Sequence, residues 1–301
     1  MSATLTLGTN NAFAFKAWPE PEMWAKIISE DLGLKEVQFS YDLLDPLVEE
    51  PGRTLQCKKI LKAVQDCGLS MRTSFTGLIA YAQNLLSHPD PVLRAHSLRW
   101  YQCAVELAGK LGVEATGGHI GAMSSRDYAD PQRRSLIRSS LVEMVRDLTW
   151  LAASNGQKYF LWEAMPSPRE IPHTPKEAID LLDEVNDGAA VPVYICFDLG
   201  HCNSFDFDRP GDPYAWLEEL LPYVPMVHLQ QTDGFADHHW PFTPEYNQQG
   251  IIQPERVIDI VKSSPFPEVS LLFELGYAFD APDGLILDAT KQSVDLWRKW
   301  L

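Results

Sequence analysis

Residues 158–198, KYFLWEAMPSPREIPHTPKEAIDLLDEVNDGAAVPVYICFD, contain one complete strand–helix–strand unit. The short apolar runs Lys158–Glu163 and Val193–Asp198 predict two buried strands. Between them, Pro175–Asn186 has the apolar spacing of a helix, and Thr174–Glu177 is typical of a capping box at its start. Both strands end on a carboxylate, where an unpaired charge would be costly to bury. The unit therefore predicts parallel strands with functional side chains at their carboxyl-terminal ends.

The same alternation of short strands and amphipathic helices continues along the whole chain. We predict eight strands, at Leu5–Thr9, Glu36–Ser40, Ser70–Ser74, Val113–His119, Lys158–Glu163, Val193–Asp198, Pro225–Gln230 and Val269–Glu274. We predict eight helices, at Pro21–Leu32, Thr54–Cys67, Pro91–Leu111, Arg133–Ser154, Pro175–Asn186, Pro213–Leu221, Pro254–Lys262 and Leu285–Trp300. Eight such units in 301 residues are typical of a (β/α)8 TIM barrel, expected as a single domain over residues 1–301. A doubly wound open sheet is disfavoured, because no GxGxxG follows the first strand and no P-loop occurs.

The composition excludes several classes of protein. The chain is 45% hydrophobic, with 9 Trp, 10 Tyr and 13 Phe, which excludes a disordered protein. The balance of 25 Lys and Arg against 41 Asp and Glu gives a net charge of −16, which opposes nucleic-acid binding. No apolar run approaches the length of a bilayer span, and the N-terminus does not have the form of a signal peptide. We therefore expect a cytoplasmic protein without a membrane partner. The five cysteines form no CxxC pair, which favours reduced thiols.

Four consecutive predicted strands carry residues that bind metal ions at their carboxyl ends. Strands 5 and 6 end in Glu163 and Asp198, strand 7 contains His228, and strand 8 ends in Glu274. In a barrel these ends meet at one mouth, so the four side chains are expected to converge. Three carboxylates and one imidazole make a hard, oxygen-rich site that favours Mg²⁺ or Mn²⁺, with Co²⁺ as a further candidate. Taken singly, each acid has the alternative of capping the next helix or pairing with an arginine; the four in succession favour the metal site.

Two histidines near these strand ends are candidates for substrate binding. His201 lies three residues beyond Asp198, after a turn at Gly200, where its imidazole either leans over the mouth or caps the next helix. His119 closes predicted strand 4 and is open to both a substrate-binding and a structural role.

The region after strand 7 supplies the remaining candidates. Gln230 shares the strand face of His228 and is a candidate for contacting the substrate. His239 and Trp240 lie in a long loop, and such loops often cover a bound substrate. Contact with a second subunit and plain packing are the alternatives for this loop.

Together the strand-end positions form one series along the chain: Glu163, Asp198-x-x-His201, His228 and Glu274. The series resembles the xylose isomerase-like barrel superfamily, in particular its branch of sugar and sugar-phosphate isomerases and epimerases. The resemblance extends over essentially the whole chain. Two further stretches, Gly117–Gly121 and Asp237–Asn247, are most similar to the ketose-phosphate 3-epimerases of erythritol and threitol catabolism.

The resemblance implies a metal-dependent isomerase of a small sugar or sugar phosphate, with a ketose 3-epimerase of the erythrulose-phosphate type as the best match. One divalent ion would be bound by Glu163, Asp198, His228 and Glu274. Glu163 and Glu274 would also transfer the proton, on opposite faces of the ketose. A metal chelated by a carbonyl and the neighbouring hydroxyl acidifies the C–H bond and stabilises a cis-enediolate, so that return of the proton from the far side inverts the carbon. Relatives commonly form dimers or tetramers, which leaves a homo-oligomer open.

The sequence departs from the sugar 3-epimerases at strand 7. Those enzymes have an Arg a few residues after the histidine, whereas His228 is followed by Leu-Gln-Gln-Thr-Asp-Gly234. Gln230 therefore either replaces the imidazole as a ligand or supplements it. An aldose–ketose isomerase with the same metal site, a nuclease of the endonuclease IV type and a sugar-binding barrel without activity are the alternative functions. The acidic net charge and the carboxylate-rich ligand set argue against the nuclease.

A phosphate on the substrate requires positive charge or free backbone N–H groups near the mouth. The candidates are four basic residues that share no motif: Lys16, Arg126, Arg169 and Arg209.

Overall fold

The computed structural model describes residues 2–202 and 211–301, in which eight parallel strands close into a barrel. Each strand pairs with its neighbours in sequence, and the last strand pairs with the first. The strands are β1 (Thr4–Asn10), β2 (Glu36–Ser40), β3 (Ser70–Phe75), β4 (Ala115–Gly118), β5 (Tyr159–Glu163), β6 (Val193–Asp198), β7 (Met226–Leu229) and β8 (Glu268–Phe273). The predicted (β/α)8 TIM barrel is confirmed.

Helices follow the strands and surround the barrel. In the described part of the chain they are α1 (Pro21–Lys26), α2 (Gly52–Asp66), α3 (Leu78–Tyr81), α4 (Pro91–Leu111), α5 (Ser125–Ala129), α6 (Pro131–Ser154), α7 (Pro175–Asn186), α8 (Pro213–Leu220), α9 (Pro244–Asn247), α10 (Pro254–Val261) and α11 (Asp283–Trp297). Each of the eight predicted helices is present, although α1 continues into a π-helical turn, Ile27–Asp31. The helices α3, α5 and α9 were not predicted, because one turn is too short to show a helical period.

Two apolar cores result from this arrangement. A small one fills the barrel and consists of Phe75, Ala115, Leu161, Cys196, Met226 and Leu272. A larger one lies between the barrel and the helices and contains most of the buried Leu, Val and Ile side chains. The barrel is therefore a packed core, and polar side chains gather at its two ends.

The strand register brings the candidate residues to one end of the barrel. Asp198 is paired with His228 in neighbouring strands, and Leu229 is paired with Phe273 at the end of β8. Glu274 follows that strand and still donates its backbone N–H to the Leu229 carbonyl, at 3.1 Å. None of the helices in the described residues combines the length and apolar character needed to cross a bilayer.

Candidate active site

Four side chains from the ends of β5 to β8 converge at the mouth of the barrel. Glu163, Asp198, His228 and Glu274 each offer one ligand atom, and these atoms lie within 4.8 Å of one another. We call these four residues the strand-end cluster. The first three are at most 1% exposed, and the side chain of Glu274 is 17% exposed. This set of oxygen and imidazole ligands suits a hard divalent cation.

The strand-end cluster has polar atoms that need a partner. Glu163 Oε1, Asp198 Oδ2 and His228 Nδ1 are buried without a hydrogen-bond partner among the described residues. Unsatisfied polar atoms are costly to bury, and here three of them belong to one cluster. His228 Nδ1 also lies 3.6 Å from Glu163 Oε1 and 3.0 Å from Glu274 Oε2. The donor set therefore fits a divalent cation, which would satisfy all three atoms at once.

The far side of the His228 ring is fixed by Gln38 in β2. His228 Nε2 lies 2.8 Å from Gln38 Oε1, and this amide oxygen also accepts a hydrogen bond from Asn10 Nδ2, at 2.9 Å. Because an amide oxygen only accepts, Nε2 carries the hydrogen and donates. In the neutral ring, Nδ1 then has the lone pair and faces the cluster, as a metal ligand requires. Asn10 Nδ2 also donates to Glu274 Oε1, at 3.2 Å.

Asp198 is held by a second amide. Its Oδ1 accepts hydrogen bonds from the Gly200 N–H, at 2.6 Å, and from Gln230 Nε2, at 2.8 Å. Asp198 therefore caps the 3₁₀ turn Leu199–His201 through Oδ1 and leaves Oδ2 facing the cluster. A Cβ at Gly200 would lie 2.1 Å from the Gln230 amide carbon. Gly200 lies in a turn, as predicted, and its lack of a Cβ also permits the close approach of Gln230.

His201 and His239 belong to a charged network beside the cluster. His201 is 2% exposed; its Nδ1 donates to the Ala164 carbonyl, and its Nε2 lies 2.8 Å from the Tyr81 hydroxyl. Asp237 places its carboxylate 3.4 Å from His201 Nε2 and 3.1 Å from His239 Nε2. Burial opposes the charged form of both imidazoles, but the nearby carboxylates outweigh it and raise the pKa of His239 to about 10 and that of His201 well above its usual value.

The two glutamates of the cluster titrate in different surroundings. Burial raises the pKa of Glu163. Burial would also raise the pKa of Glu274, but the neighbouring His228 and His239 outweigh it and lower this pKa. The two carboxyl groups therefore differ in their affinity for a proton.

A cavity of about 630 Å³ opens above the cluster. Glu163 and Glu274 line it, whereas Asp198 and His228 are not part of its lining and lie beneath it. His239 and Asp237 also line the cavity, and His239 Nδ1 donates to the backbone carbonyl of Glu274, at 2.9 Å.

Several residues predicted to contact the substrate lie elsewhere. Gln230 is completely buried and binds Asp198 and Asp237 with its amide N–H groups, so it positions Asp198 and does not reach the cavity. His119 is also completely buried and stacks behind Tyr81, with ring centroids 5.0 Å apart. Neither residue is part of the cavity lining.

Trp240 also lies away from the cavity, in a stack of three rings. It stands between His238, with centroids 3.8 Å apart, and Tyr246, with centroids 5.1 Å apart. Its backbone pairs with Gln231. Trp240 therefore supports the loop, and its neighbours Asp237, His238 and His239 reach the cavity.

The basic candidates for a phosphate site differ in whether they line the cavity. Lys16 lines the cavity. Arg126 pairs with Asp127, at 3.2 Å, and Arg169 donates to the Met123 carbonyl, at 3.3 Å, both outside the cavity lining. Arg209 lies outside the described residues.

Four residues of the site were missed or given no role by the sequence analysis: Asn10, Gln38, Tyr81 and Asp237. An amide between the apolar Val37 and Phe39 of β2 was a usable signal for Gln38, since buried amides in strands must find partners. Asn10 ends β1, as Glu163 and Asp198 end β5 and β6. Tyr81 gave no signal, because it lies in the single turn α3.

A closed parallel barrel with a buried carboxylate–histidine cluster under a cavity at its mouth defines an enzyme that acts at the carboxyl-terminal face of the barrel. Residues 28–300 match the xylose isomerase-like TIM barrel family, and the chain belongs to that family.

Three similar proteins illustrate the relationship. A protein of Brucella abortus named D-erythrulose 1-phosphate 3-epimerase is 26% identical, over 99% of this chain and 96% of its own. A crystal structure from Rhodospirillum rubrum, provisionally named a xylose isomerase, is 29% identical with a TM-score of 0.90, over 98% of this chain and 99% of its own. D-Psicose 3-epimerase of Clostridium cellulolyticum, solved with D-tagatose, has a TM-score of 0.72 at 16% identity, over 98% and 99%. This last likeness concerns the fold alone.

Proposed function

We propose that this protein is a divalent-metal-dependent ketose 3-epimerase that acts on a small ketose phosphate of the erythrulose-phosphate type. The proposal depends above all on one observation: within the strand-end cluster, Glu163 and Glu274 line the cavity while Asp198 and His228 lie beneath it. Two carboxylates thus face the substrate beside a position suited to a cation. The name of the Brucella abortus relative supports the same reaction and substrate class.

Each residue of the cluster has a role in this proposal. A bound divalent cation would polarise the ketose carbonyl and acidify the neighbouring C–H bond. Asp198 and His228 would hold the cation from below. Glu163, at the end of β5, would remove or return the C3 proton on one face of the ketose, and Glu274, beyond β8, would do so on the other. Transfer from opposite faces inverts C3.

The surrounding network would orient the substrate and the ligands. His239 lines the cavity and would pack its ring against the substrate, since Nδ1 is held by the Glu274 carbonyl and Nε2 by Asp237. Gln230 and His201 would act without touching the substrate, since both are buried and engaged with Asp198 or Asp237. Gln38 would keep the lone pair of His228 Nδ1 toward the cation.

The test is proton NMR in D₂O with Mg²⁺-loaded protein and D-erythrulose 1-phosphate, D-erythrulose 4-phosphate or free tetruloses. We expect deuterium to enter C3 and the C3 epimer to appear. Proton transfer between C1 and C2, with formation of an aldose, would replace this proposal with the aldose–ketose isomerase. Absence of exchange in every ketose tested, with metal bound, would refute both functions.

Two variants test the assignment of the proton-transfer groups. Glu163→Gln and Glu274→Gln are each expected to lower the exchange rate by about 10²–10⁴-fold, the usual contribution of a general acid or base. Glu22→Gln is the matched control, because Glu22 is an exposed carboxylate in the first turn of α1. Full activity in either cluster variant would exclude that residue as a proton-transfer group.

A further inference from the structure

Lys16 is the one lysine or arginine among the described residues that line the active-site cavity. The residue is exposed. Its Nζ donates to the Phe279 carbonyl, at 3.0 Å, and lies 5.4 Å from the centroid of the Phe279 ring. Within the described residues, the acceptor of this hydrogen bond is a neutral carbonyl and not a carboxylate. An ammonium group has three donors, so Lys16 keeps donors and its full charge for a ligand.

The backbone at Lys16 is held in a conformation that lysine rarely adopts. Its φ is +67°, in the left-handed region that glycine and asparagine occupy at lower cost. Strained residues of this kind are concentrated at functional sites, where the surrounding structure enforces them. A lysine at this position is best explained by a use for its side chain.

The start of α11 also lines the cavity, and it lies close in the chain to Phe279, which Lys16 contacts. Asp283 and Ile286, both in the first turn of this 15-residue helix, line the cavity together with Phe279. The N-cap residue, Pro282, provides no side-chain cap. The positive end of a helix therefore adds to the charge of Lys16. Asp283 opposes this charge, but it is exposed and screened by solvent.

The cavity lining thus carries charges of both signs. Glu163 and Glu274 belong to the strand-end cluster, whereas Lys16 contacts Phe279, in the segment that leads to the start of α11. We propose that Lys16 binds the phosphate group of the substrate and so selects phosphorylated over free ketoses. The inference rests on the proposed function for the ketose end of the substrate, which would lie over the strand-end cluster. Lysine binds phosphate as a point charge and needs no further motif.

Binding of a substrate analogue without a carbonyl tests this site independently of catalysis. D-Erythritol 4-phosphate and erythritol would be titrated into Mg²⁺-loaded protein by calorimetry. We expect Lys16→Met to weaken phosphate-ester binding by about 10–100-fold, the range of one charged hydrogen bond, and to leave erythritol binding unchanged. Lys16→Arg should retain most of the affinity, Asp283→Asn should increase it, and Lys26→Met, an exposed lysine of α1 outside the cavity lining, should not change it.

Lys16→Gly is the control for a folding artefact, because glycine relieves the backbone strain while removing the charge. This variant should bind the phosphate ester as weakly as Lys16→Met does. The inference would be overturned if wild type and both variants bound the phosphate ester equally well. It would also be overturned if the variants lost as much affinity for erythritol as for the phosphate ester.

Kinetic measurements then separate the two proposals. With an active enzyme, Lys16→Met should raise KM for the ketose phosphate and leave turnover of the free ketose unchanged. Loss of phosphate binding in a protein that exchanges no ketose would support Lys16 and refute the proposed reaction.

Discussion

At the residue scale, the site is defined by polar atoms that the protein itself does not satisfy. Oδ1 of Asp198 has two donors within 2.8 Å, yet Oδ2 of the same carboxylate has none among the described residues. His228 shows the same asymmetry, with Nε2 bound by Gln38 and Nδ1 left toward the cluster. Each side chain is therefore anchored on one side and free on the side facing a cation. Buried polar atoms without a partner are costly, and a cation bound between them would offset that cost.

A buried carboxylate at the opposite end of the barrel gives a prediction of pH-dependent stability. Glu36 begins β2, is 1% exposed and accepts a hydrogen bond from Ser270 Oγ, at 2.6 Å. Burial raises the pKa of Glu36 to about 7 from 4.5, against weaker lowering by Ser270 and Arg72. Because the folded protein holds this proton more tightly than the unfolded chain, stability is lost as pH rises from about 4.5 to 7.

Glu36→Gln removes this ionisation and should therefore be more stable than wild type at pH 8. The expected difference in the free energy of unfolding is about 3 kcal/mol, falling toward zero near pH 4.5. Urea unfolding from pH 4.5 to 8 measures it. Glu114→Gln is the matched control: Lys158 and Arg72 outweigh burial and lower the pKa of Glu114, so this variant should lose stability at pH 8. An advantage of Glu36→Gln that does not change with pH would contradict the argument.

At the element scale, the strands and long helices could be predicted because each has a period or a boundary signal in the sequence. β2 and β6 have the predicted bounds, and α4 ends before Gly112, as the helix-then-glycine pattern indicates. The single turns α3 and α9 could not be predicted. Tyr81, which lies in α3 and lines the cavity, was therefore missed as well. Cytoplasmic location and a homo-oligomeric state stay predictions from the sequence.

The candidate site could be predicted only in part, for a physical reason. Residues that end strands, such as Glu163 and Asp198, are brought together by the barrel itself, so their positions in the sequence suffice. Side chains beyond the strands are placed by loops whose course the sequence does not specify. Gln230 and Trp240 were predicted to reach the substrate; one turns to Asp198 and the other stacks between two rings.

The 3₁₀ turn after β6 gives a prediction about the element that holds Asp198. Gly200→Ala places a methyl group 2.1 Å from the Gln230 amide carbon, so the amide must move away from Asp198. We expect weaker metal binding, by about 10–100-fold, as is usual for loss of a residue that orients a ligand. Overpacking should also cost about 1–3 kcal/mol of stability. Calorimetric Mg²⁺ or Mn²⁺ titration and thermal unfolding measure the two effects.

The double variant Gly200→Ala, Gln230→Ala separates clash from positioning. Removing the long side chain of Gln230 should recover stability relative to Gly200→Ala alone, while metal affinity stays low because Asp198 still lacks the hydrogen bond from Gln230. Recovery of metal affinity in the double variant would show that Gln230 does not position Asp198.

At the scale of the whole molecule, the strand-end cluster opposes stability until a cation is present. The chain carries a net charge of −16, and three of its carboxylates converge within a few ångströms at the mouth. A cation bound by the folded state alone stabilises it by mass action, by about 2.7 kcal/mol at a concentration 100 times the dissociation constant. We therefore expect EDTA to lower the Tm of the wild-type protein and Mn²⁺ or Mg²⁺ to restore it.

Asp198→Asn makes this coupling testable in a single side chain. The Asn oxygen can keep the hydrogen bonds from Gly200 and Gln230, while its NH₂ group takes the place of the unpartnered Oδ2 and removes one buried negative charge. In EDTA the variant should therefore melt above wild type, and added Mn²⁺ should no longer raise its Tm. With Mn²⁺ the wild type should melt above the variant, because the ion raises the Tm of the wild type alone. A metal-induced rise in Tm that survives in Asp198→Asn would place the stabilising ion outside the strand-end cluster, and a variant less stable than wild type in EDTA would show that the cluster does not strain the metal-free fold.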